Sequence, residues 1–487
     1  MRKVSLLLAV VLLPLFLAAK TTTMYHTSDT HGFFFPRNGQ GGFAALEAVL
    51  KSGPKPYLLL DSGDFANGTI ETSLSKGVKA VEVFNKMGYD ATTVGNHEFD
   101  FKNAAFAPMM EKMQVPVLAA NFFEKDTQTY PPHIQPYKIF EVDGVKVAVI
   151  GLANRTPTNP ATGYTYSKPL EALGNALEKV EKENPNIVVV LVHDSIKDDK
   201  HGTQPYTAEI GEKFGGRVHV VMGGHAHKIV QNEYINNVLY VESGCYVNNV
   251  SKVSVETDDK TGKFVSAKSE LIPLVVAKVG EDKAMKEFLE TIREPNVDTP
   301  LGTAAEEIAA KPVEKDRMDA PLNDWIVDLM RDYAGTEIAM TNNGGTRVNM
   351  PKGVITRRDL MEIHPFDNKI SVVKVSGKFL KKFIKTGFAP RSIFTYSGLD
   401  ITYKLNKKGE AKSVKILFKG KPLKNKNTYL VATNSYIAGG GSEGYLFKQI
   451  SDADKKQIGT TSIRDLMEAG LKKGEVHAPA TGRIKQR

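Results

Sequence analysis

Residues 187–194 read IVVVLVHD: six apolar residues, four of them valine, followed at once by His193 and Asp194. A strand exposed to water on one face alternates polar and apolar residues. An unbroken apolar run of this length reads as a strand buried on both faces. Such strands lie in parallel sheets whose crossovers are helices, so the flanking sequence should show them. It does. VKVAVIGLAN (145–154) and RVHVVMGG (217–224) are similar runs, and PLEALGNALEKVEKENP between the first two repeats its apolar residues at helical spacing. Upstream, TTMYHTSD (22–29), PYLLLDSG (56–63) and VPVLAAN (115–121) extend the pattern, with GFAALEAVLKSG as a helix. The expectation is an α/β domain.

From about Val241 the pattern changes to alternation, as in LYVESGCYVNNVSKVSVET. A charged amphipathic stretch closed by prolines, KVGEDKAMKEFLETIREPNVDTP (278–300), reads as an interdomain connection. A second, α+β domain should follow over 301–487. Its helices are DWIVDLMRDYAG and VSGKFLKKFIKTG, and its strands EIAMTNNG, KISVVKV and TYLVATNS. Two domains suit 487 residues, too many for one core.

Residues 1–19 place Arg2 and Lys3 before an apolar run interrupted by Pro14, which fits a secretory signal peptide better than a membrane span. Cleavage after Ala19 would leave Leu17 where a small residue is preferred, so a retained anchor is the alternative. No later segment is long and apolar enough to span a bilayer, and the expected location is periplasmic or secreted. Cys245 is the single cysteine, which excludes an internal disulfide and a thiolate metal site. Residues 301–487 hold 33 Lys and Arg against 20 Asp and Glu. That excess suits a small anionic substrate, although most of these lysines read as a solvated face and no nucleic-acid partner is expected.

Polar clusters fall where the N-terminal strands end: Asp29 and His31, Asp64, Asn96 and His97, His193, and His225 with His227. Ligands bind at the carboxyl ends of strands in open α/β sheets. Seven side chains of ligand type (Asp29, His31, Asp64, Asn96, His193, His225 and His227) on five strand ends suit two divalent cations sharing a carboxylate. Oxygen and imidazole donors point to Mn, Zn or Fe. His26 and His219, inside strands, read as structural.

HTSDTHG, DSGDFANGT, NKMGYDATTVGNHEFD and GGHAH, in this order, resemble the metallophosphatase domain of the 5′-nucleotidase family, and TNNGGTR, HPFDN and NSYIAGGGSEGY continue the likeness. The resemblance implies a four-layer α-β-β-α metallophosphatase domain over 20–277, then a smaller α+β substrate-binding domain. It implies one cation on Asp29, His31, Asp64 and His227, and a second on Asp64, Asn96, His193 and His225. It implies His97 as the catalytic histidine, oriented by Asp100, and leaves Glu98 without a role. In the second domain it implies Phe366 and Tyr436 around the nucleobase, Arg317, Asn342 and Arg347 on phosphate and base, and Glu443 on the ribose. The chain departs from the family at Thr346 (isoleucine is usual), Tyr436 (Phe), Glu443 (Asp), around Arg317, and after His193, where HDS replaces a glycine-containing motif. The implied activity is hydrolysis of nucleoside 5′-monophosphates or UDP-sugars. Alternatives are a 2′,3′-cyclic nucleotide phosphodiesterase with 3′-nucleotidase activity, a sulfur-ester hydrolase and a non-catalytic nucleotide-binding protein.

Overall fold

The computed structural model describes residues 19–486 apart from 102, 155–162, 197–205, 315–317, 389–393 and 408–410. The expected leader, except Ala19, and Arg317 therefore lie outside the described residues, as does the side chain of Glu443. The chain divides into two compact units, one of residues 1–66 with 76–291, the other of 67–75 with 292–487.

Among the described residues, the first unit contains two large sheets and two short two-stranded ones. One has six strands in the order Ile229–Ile235, Val238–Ser243, Val220–Met222, Ile187–Val192, Val145–Leu152, Tyr137–Val142. Its four inner strands are parallel and its two edges antiparallel. Every residue of Ile187–Val192 is buried, as the apolar run requires. The other sheet runs Phe264–Pro273, Asn249–Asp258, Ala19–Thr27, Tyr57–Asp61. Met24, Leu60, Val253 and Val255 from this sheet share one core with Val149, Val189, Val220 and Leu239 from the larger one. The other face of the six-stranded sheet is covered by helices Pro169–Val180 and Thr207–Phe214, through Leu173, Leu177 and Ile210. Pro169 opens the first of these at the position where a missing N–H costs nothing, and its buried Leu173, Ala176, Leu177 and Val180 repeat at helical spacing. On the far side of the smaller sheet, Tyr25 and Thr27 face Gly53, which ends helix Phe43–Ser52, and Tyr89, which follows helix Val78–Met87. The layers are thus α-β-β-α.

Two details differ from the sequence reading. VPVLAAN yields only a two-residue strand, Val117–Leu118. Beyond it the Asn121 side chain takes both polar groups of the Ala153 backbone, its Nδ2 donating to the carbonyl and its Oδ1 accepting from N–H at 2.7 Å. The strand in RVHVVMGG shortens to Val220–Met222, because His219 turns its ring nitrogen Nδ1 to accept from the Val188 N–H at 2.9 Å. The segment expected as a connection, 278–300, carries the helix Lys283–Ile292, and the division between units, at Thr291 and Ile292, lies within it.

The second unit has a five-stranded sheet in the order Phe394–Ser397, Ile338–Asn342, Thr428–Asn434, Lys369–Ser376, Lys455–Ser462, and a four-stranded one built on Leu399–Leu405 and Ala411–Phe418. Residues 67–75 belong to it through Ile70, clustered with Val297 and Met361, and through buried Glu71, 2.5 Å from the Arg358 guanidinium. Nothing local in the sequence marks that pairing.

Asp324, fully buried on helix Pro321–Ala334, gives this unit a pH dependence. Burial pushes its carboxyl up to about 8; Arg483, with Nε 3.8 Å away, opposes the shift, and Asp319 and Asp328 reinforce it. An unfolded Asp ionises near pH 4, so between about pH 4 and 8 the folded chain holds a proton that the unfolded chain lacks. Stability therefore falls as pH rises through this window. Asp324→Asn, neutral throughout, should flatten that slope. The melting temperature of the variant relative to wild type should climb by a few degrees from pH 5.5 to 8; a constant difference would mean that Asp324 is ionised across the range.

Candidate active site

The site is built at the carboxyl ends of strands in the first unit. Ala19–Thr27 ends two residues before Asp29, Tyr57–Asp61 three before Asp64, Ile187–Val192 one before His193, and Val220–Met222 three before His225. The chain turns sharply at these ends. Asp29, His31, Asp64, His225 and His227 all have positive φ, between 49° and 73°, a conformation that non-glycine residues seldom adopt. Five such residues in one place mark a backbone held by its surroundings so that side chains converge.

Converge they do. Among the described residues, Asp29, His31 and His227 bring ligand atoms within 4.8 Å of one another, as do Asp64, His193 and His225, and as do His31, Asp64 and His97. The Nε2 atoms of His31 and His227 are 3.1 Å apart. Asp29 Oδ1 lies 3.5 Å from His227 Nε2 and 4.0 Å from His193 Nε2. Asp64 Oδ2 lies 3.0 Å from His193 Nε2 and 3.9 Å from His31 Nε2, so Asp64 stands between the two groups. Asn96 is buried beside them, at the start of the short 3-10 turn His97–Phe99.

His97 Nδ1 is 2.7 Å from Asp100 Oδ2, one turn along. Its backbone N–H donates to Asp64 Oδ1 at 2.7 Å, which ties the imidazole to the same carboxylate that faces His193 and His31. His26 is buried with Nε2 2.9 Å from the Ser62 hydroxyl, and burial lowers it to about 3, a neutral structural histidine. Sequence reasoning missed Ser28, whose hydroxyl donates to Asp29 Oδ2, and Tyr246, whose N–H donates to the Asp29 carbonyl at 2.8 Å. The Tyr246 ring stacks on Phe33 and closes one side of His31 and His227, with centroids 5.7 and 5.2 Å away. The signal for Tyr246 was absent, because its place depends on a chain reversal with φ of 61°. The serine of the HDS departure is explained: Ser195 donates to buried Glu242 at 2.8 Å and so fixes the segment after His193.

The electrostatics fit a cation. His193 Nδ1 is 2.6 Å from the Ser62 carbonyl and donates to it, which leaves Nε2 facing Asp64. Burial disfavours charge on this ring, but Asp64 with Asp29 and Glu98 raises it to about 10. Burial would push Asp64 up, yet His193, His97 and His31 hold it well below the usual carboxylate range. Asp29 is raised by burial despite His193, with Asp64 adding to the rise. These carboxylates demand positive charge, and a divalent cation would replace the proton on His193 Nε2 with stronger compensation. The donor set of imidazole nitrogens and carboxylate oxygens suits a borderline or hard divalent metal.

In the second unit, the Arg347 guanidinium carbon is 6.0 Å from the centre of the Phe366 ring. The turn bearing Phe366 is held from behind by Arg464, which donates to the carbonyls of His364 (3.3 Å) and Pro365 (2.8 Å). The helix leading into it starts with a reciprocal cap between Thr356 and Asp359. Asn342 Oδ1 accepts from Asn434 Nδ2 at 3.0 Å, and Asn434 Oδ1 caps the helical turn carrying Tyr436. A Cβ at Gly441 would come within 2.4 Å of the Tyr436 ring, so only glycine lets that ring lie on the backbone. Thr346, in place of isoleucine, donates its buried hydroxyl to Asn323 Oδ1 at 2.5 Å.

Comparison with known proteins finds two family matches along the chain. Residues 22–228 match the model of the calcineurin-like phosphoesterase family, and residues 300–450 that of the 5′-nucleotidase C-terminal domain. The chain is 28% identical to Endonuclease YhcR of Bacillus subtilis over 81% of its length, and spans about a third (34%) of that protein. It is 26% identical to the 5′-nucleotidase of Vibrio cholerae, covering 87% of this chain and 85% of the other. The structure of a 5′-nucleotidase precursor from Thermus thermophilus is similar with a TM-score of 0.83 at 25% identity, covering 96% of this chain and 99% of that one.

Proposed function

This chain belongs to the 5′-nucleotidase family, and from that premise we propose that it is an exported, metal-dependent phosphohydrolase releasing phosphate from nucleoside 5′-monophosphates. The observation that carries the reading is the convergence of Asp29, His31, Asp64, His193, His225 and His227 around the His97–Asp100 pair. Asp29, His31, Asp64 and His227 would hold one cation, and Asp64, Asn96, His193 and His225 a second. Divalent cations at such a site lower the pKa of water and offset charge on the phosphoryl oxygens.

The chain's own residues do the rest. Asp100, 2.7 Å from Nδ1, aims the His97 imidazole and favours its charged form. That leaves Nε2 to donate to a phosphoryl oxygen as negative charge grows on it. The Asp64 carboxylate, fixed by the His97 N–H, cannot swing out of line. In the second unit, Phe366 and Tyr436 offer aromatic faces that stack on any base, while Arg347 supplies the positive charge for the phosphate. Export rests on the N-terminal 19 residues, and a periplasmic or secreted location follows from it.

The test is phosphate release by the purified protein with Mn2+ or Zn2+ and with EDTA, on AMP, UMP, UDP-glucose, 2′,3′-cyclic AMP and bis(p-nitrophenyl) phosphate. Metal-dependent turnover of AMP or UMP is expected. Turnover of the cyclic nucleotide alone would assign the other specificity, and no turnover with metal bound would refute the activity. Base stacking is worth about 1–3 kcal/mol, so Phe366→Ala and Tyr436→Ala should each raise KM for AMP roughly 5- to 150-fold. Neither should alter hydrolysis of bis(p-nitrophenyl) phosphate. Equal losses on both substrates would remove the two rings from base recognition.

A further inference from the structure

Glu98 stands between two site residues, His97 and Asp100, yet it is 2% exposed and turns inward. Its carboxylate accepts four backbone N–H groups. Oε1 takes those of Phe65 (2.8 Å) and Ala66 (3.2 Å), and Oε2 those of Asp64 (3.1 Å) and Gly95 (2.6 Å). Three of these donors form the turn that carries Asp64. The fourth opens the turn that carries Asn96 and His97. A return bond, from the His97 N–H to Asp64 Oδ1, links the same two turns in the opposite direction. The turns are pressed together as far as backbone allows: a Cβ at Gly95 would lie 2.2 Å from Asp64 Oδ1, and one at Gly63 would lie 2.8 Å from the Gly95 nitrogen.

We propose that Glu98 is a positioning residue, which clamps the Asp64 turn to the Asn96–His97 turn and thereby sets metal affinity and the aim of His97. The inference rests on the phosphohydrolase reading above. Bonds from four amides to one buried carboxyl group are directional, and they fix turns whose φ values are otherwise unfavourable. Groups one step removed from a metal typically govern its affinity by about 10- to 100-fold. A glutamate serving fold stability alone would lower the melting temperature and leave the folded fraction with normal metal binding and kcat.

Glu98→Gln keeps the shape but turns an NH2 group toward two backbone donors. Well below its melting temperature, calorimetric titration with Mn2+ should show affinity weakened about 10- to 100-fold. At saturating Mn2+, kcat for AMP should fall while KM stays near wild type. Wild-type affinity and kcat in a folded E98Q protein would overturn the inference, whatever the melting temperature. Amide exchange on the metal-free wild-type protein gives an answer that needs no variant. The N–H groups of Asp64, Phe65, Ala66 and Gly95 should be protected before any Mn2+ is added. Fast exchange until Mn2+ is present would mean that the metal orders these turns, and would overturn the clamp. A wild-type chain that takes up neither Mn2+ nor Zn2+ nor Fe2+ would overturn the metal-dependent reading itself, and this inference with it. Normal uptake by wild type with no deficit in the variant overturns the inference alone.

Discussion

Asp64→Asn should abolish turnover, lowering phosphate release from AMP by roughly 10³- to 10⁴-fold, several kcal/mol of lost transition-state stabilisation. Asp64 faces both groups of ligands, with Oδ2 3.0 Å from His193 and 3.9 Å from His31, closer to His193 than Asp29 Oδ1 at 4.0 Å. An amide keeps the shape and one oxygen but removes the charge. Its effect spreads, because the charge on His193 is sustained against burial chiefly by Asp64. Metal content after gel filtration should drop below that of wild type, and the rise in melting temperature on adding Mn2+ should shrink. Full metal occupancy together with wild-type kcat would show that Asp64 is not shared.

His97→Ala should behave differently. It should lower kcat about 10²- to 10³-fold, the usual cost of removing one group aimed at developing oxyanion charge, while leaving metal content intact. His97 does come close enough to His31 and Asp64 to form a ligand group with them. Loss of metal in H97A would therefore assign it as a ligand instead. Asp100→Asn should give a smaller loss in the same direction, with the pH profile shifted down: the imidazole would lose the carboxylate 2.7 Å away that favours its charged form. A profile unchanged by D100N would leave Asp100 with no part in setting that charge.

Much was legible from the amino-acid sequence. IVVVLV reads as a strand buried on both faces, because it is short, rich in valine and uninterrupted by polar residues, and its alternation with helical segments pointed to a parallel sheet with helical crossovers. The residue types at the strand ends were legible for a chemical reason: borderline divalent cations need imidazole nitrogens and carboxylate oxygens, and Asp, Asn and His recurred at five ends. The sequence thus determined the fold class and the inventory of candidate ligands. Only the tertiary structure decided how they meet. Five ligand-bearing residues hold positive φ, and no residue-by-residue preference would place them there. Hydrogen bonds between turns distant in sequence hold that shape, as between the Asp29–His31 and Gly63–Asp64 backbones. Residues 67–75 join the second unit through a buried pairing with Arg358, 287 positions away in the chain. Glu98 shows the same limit most plainly. Its partners are four amides, which every residue but proline possesses, so sequence carries no trace of which ones it will bind. Side-chain chemistry is written in the sequence, whereas the direction of a backbone N–H exists only once the chain has folded.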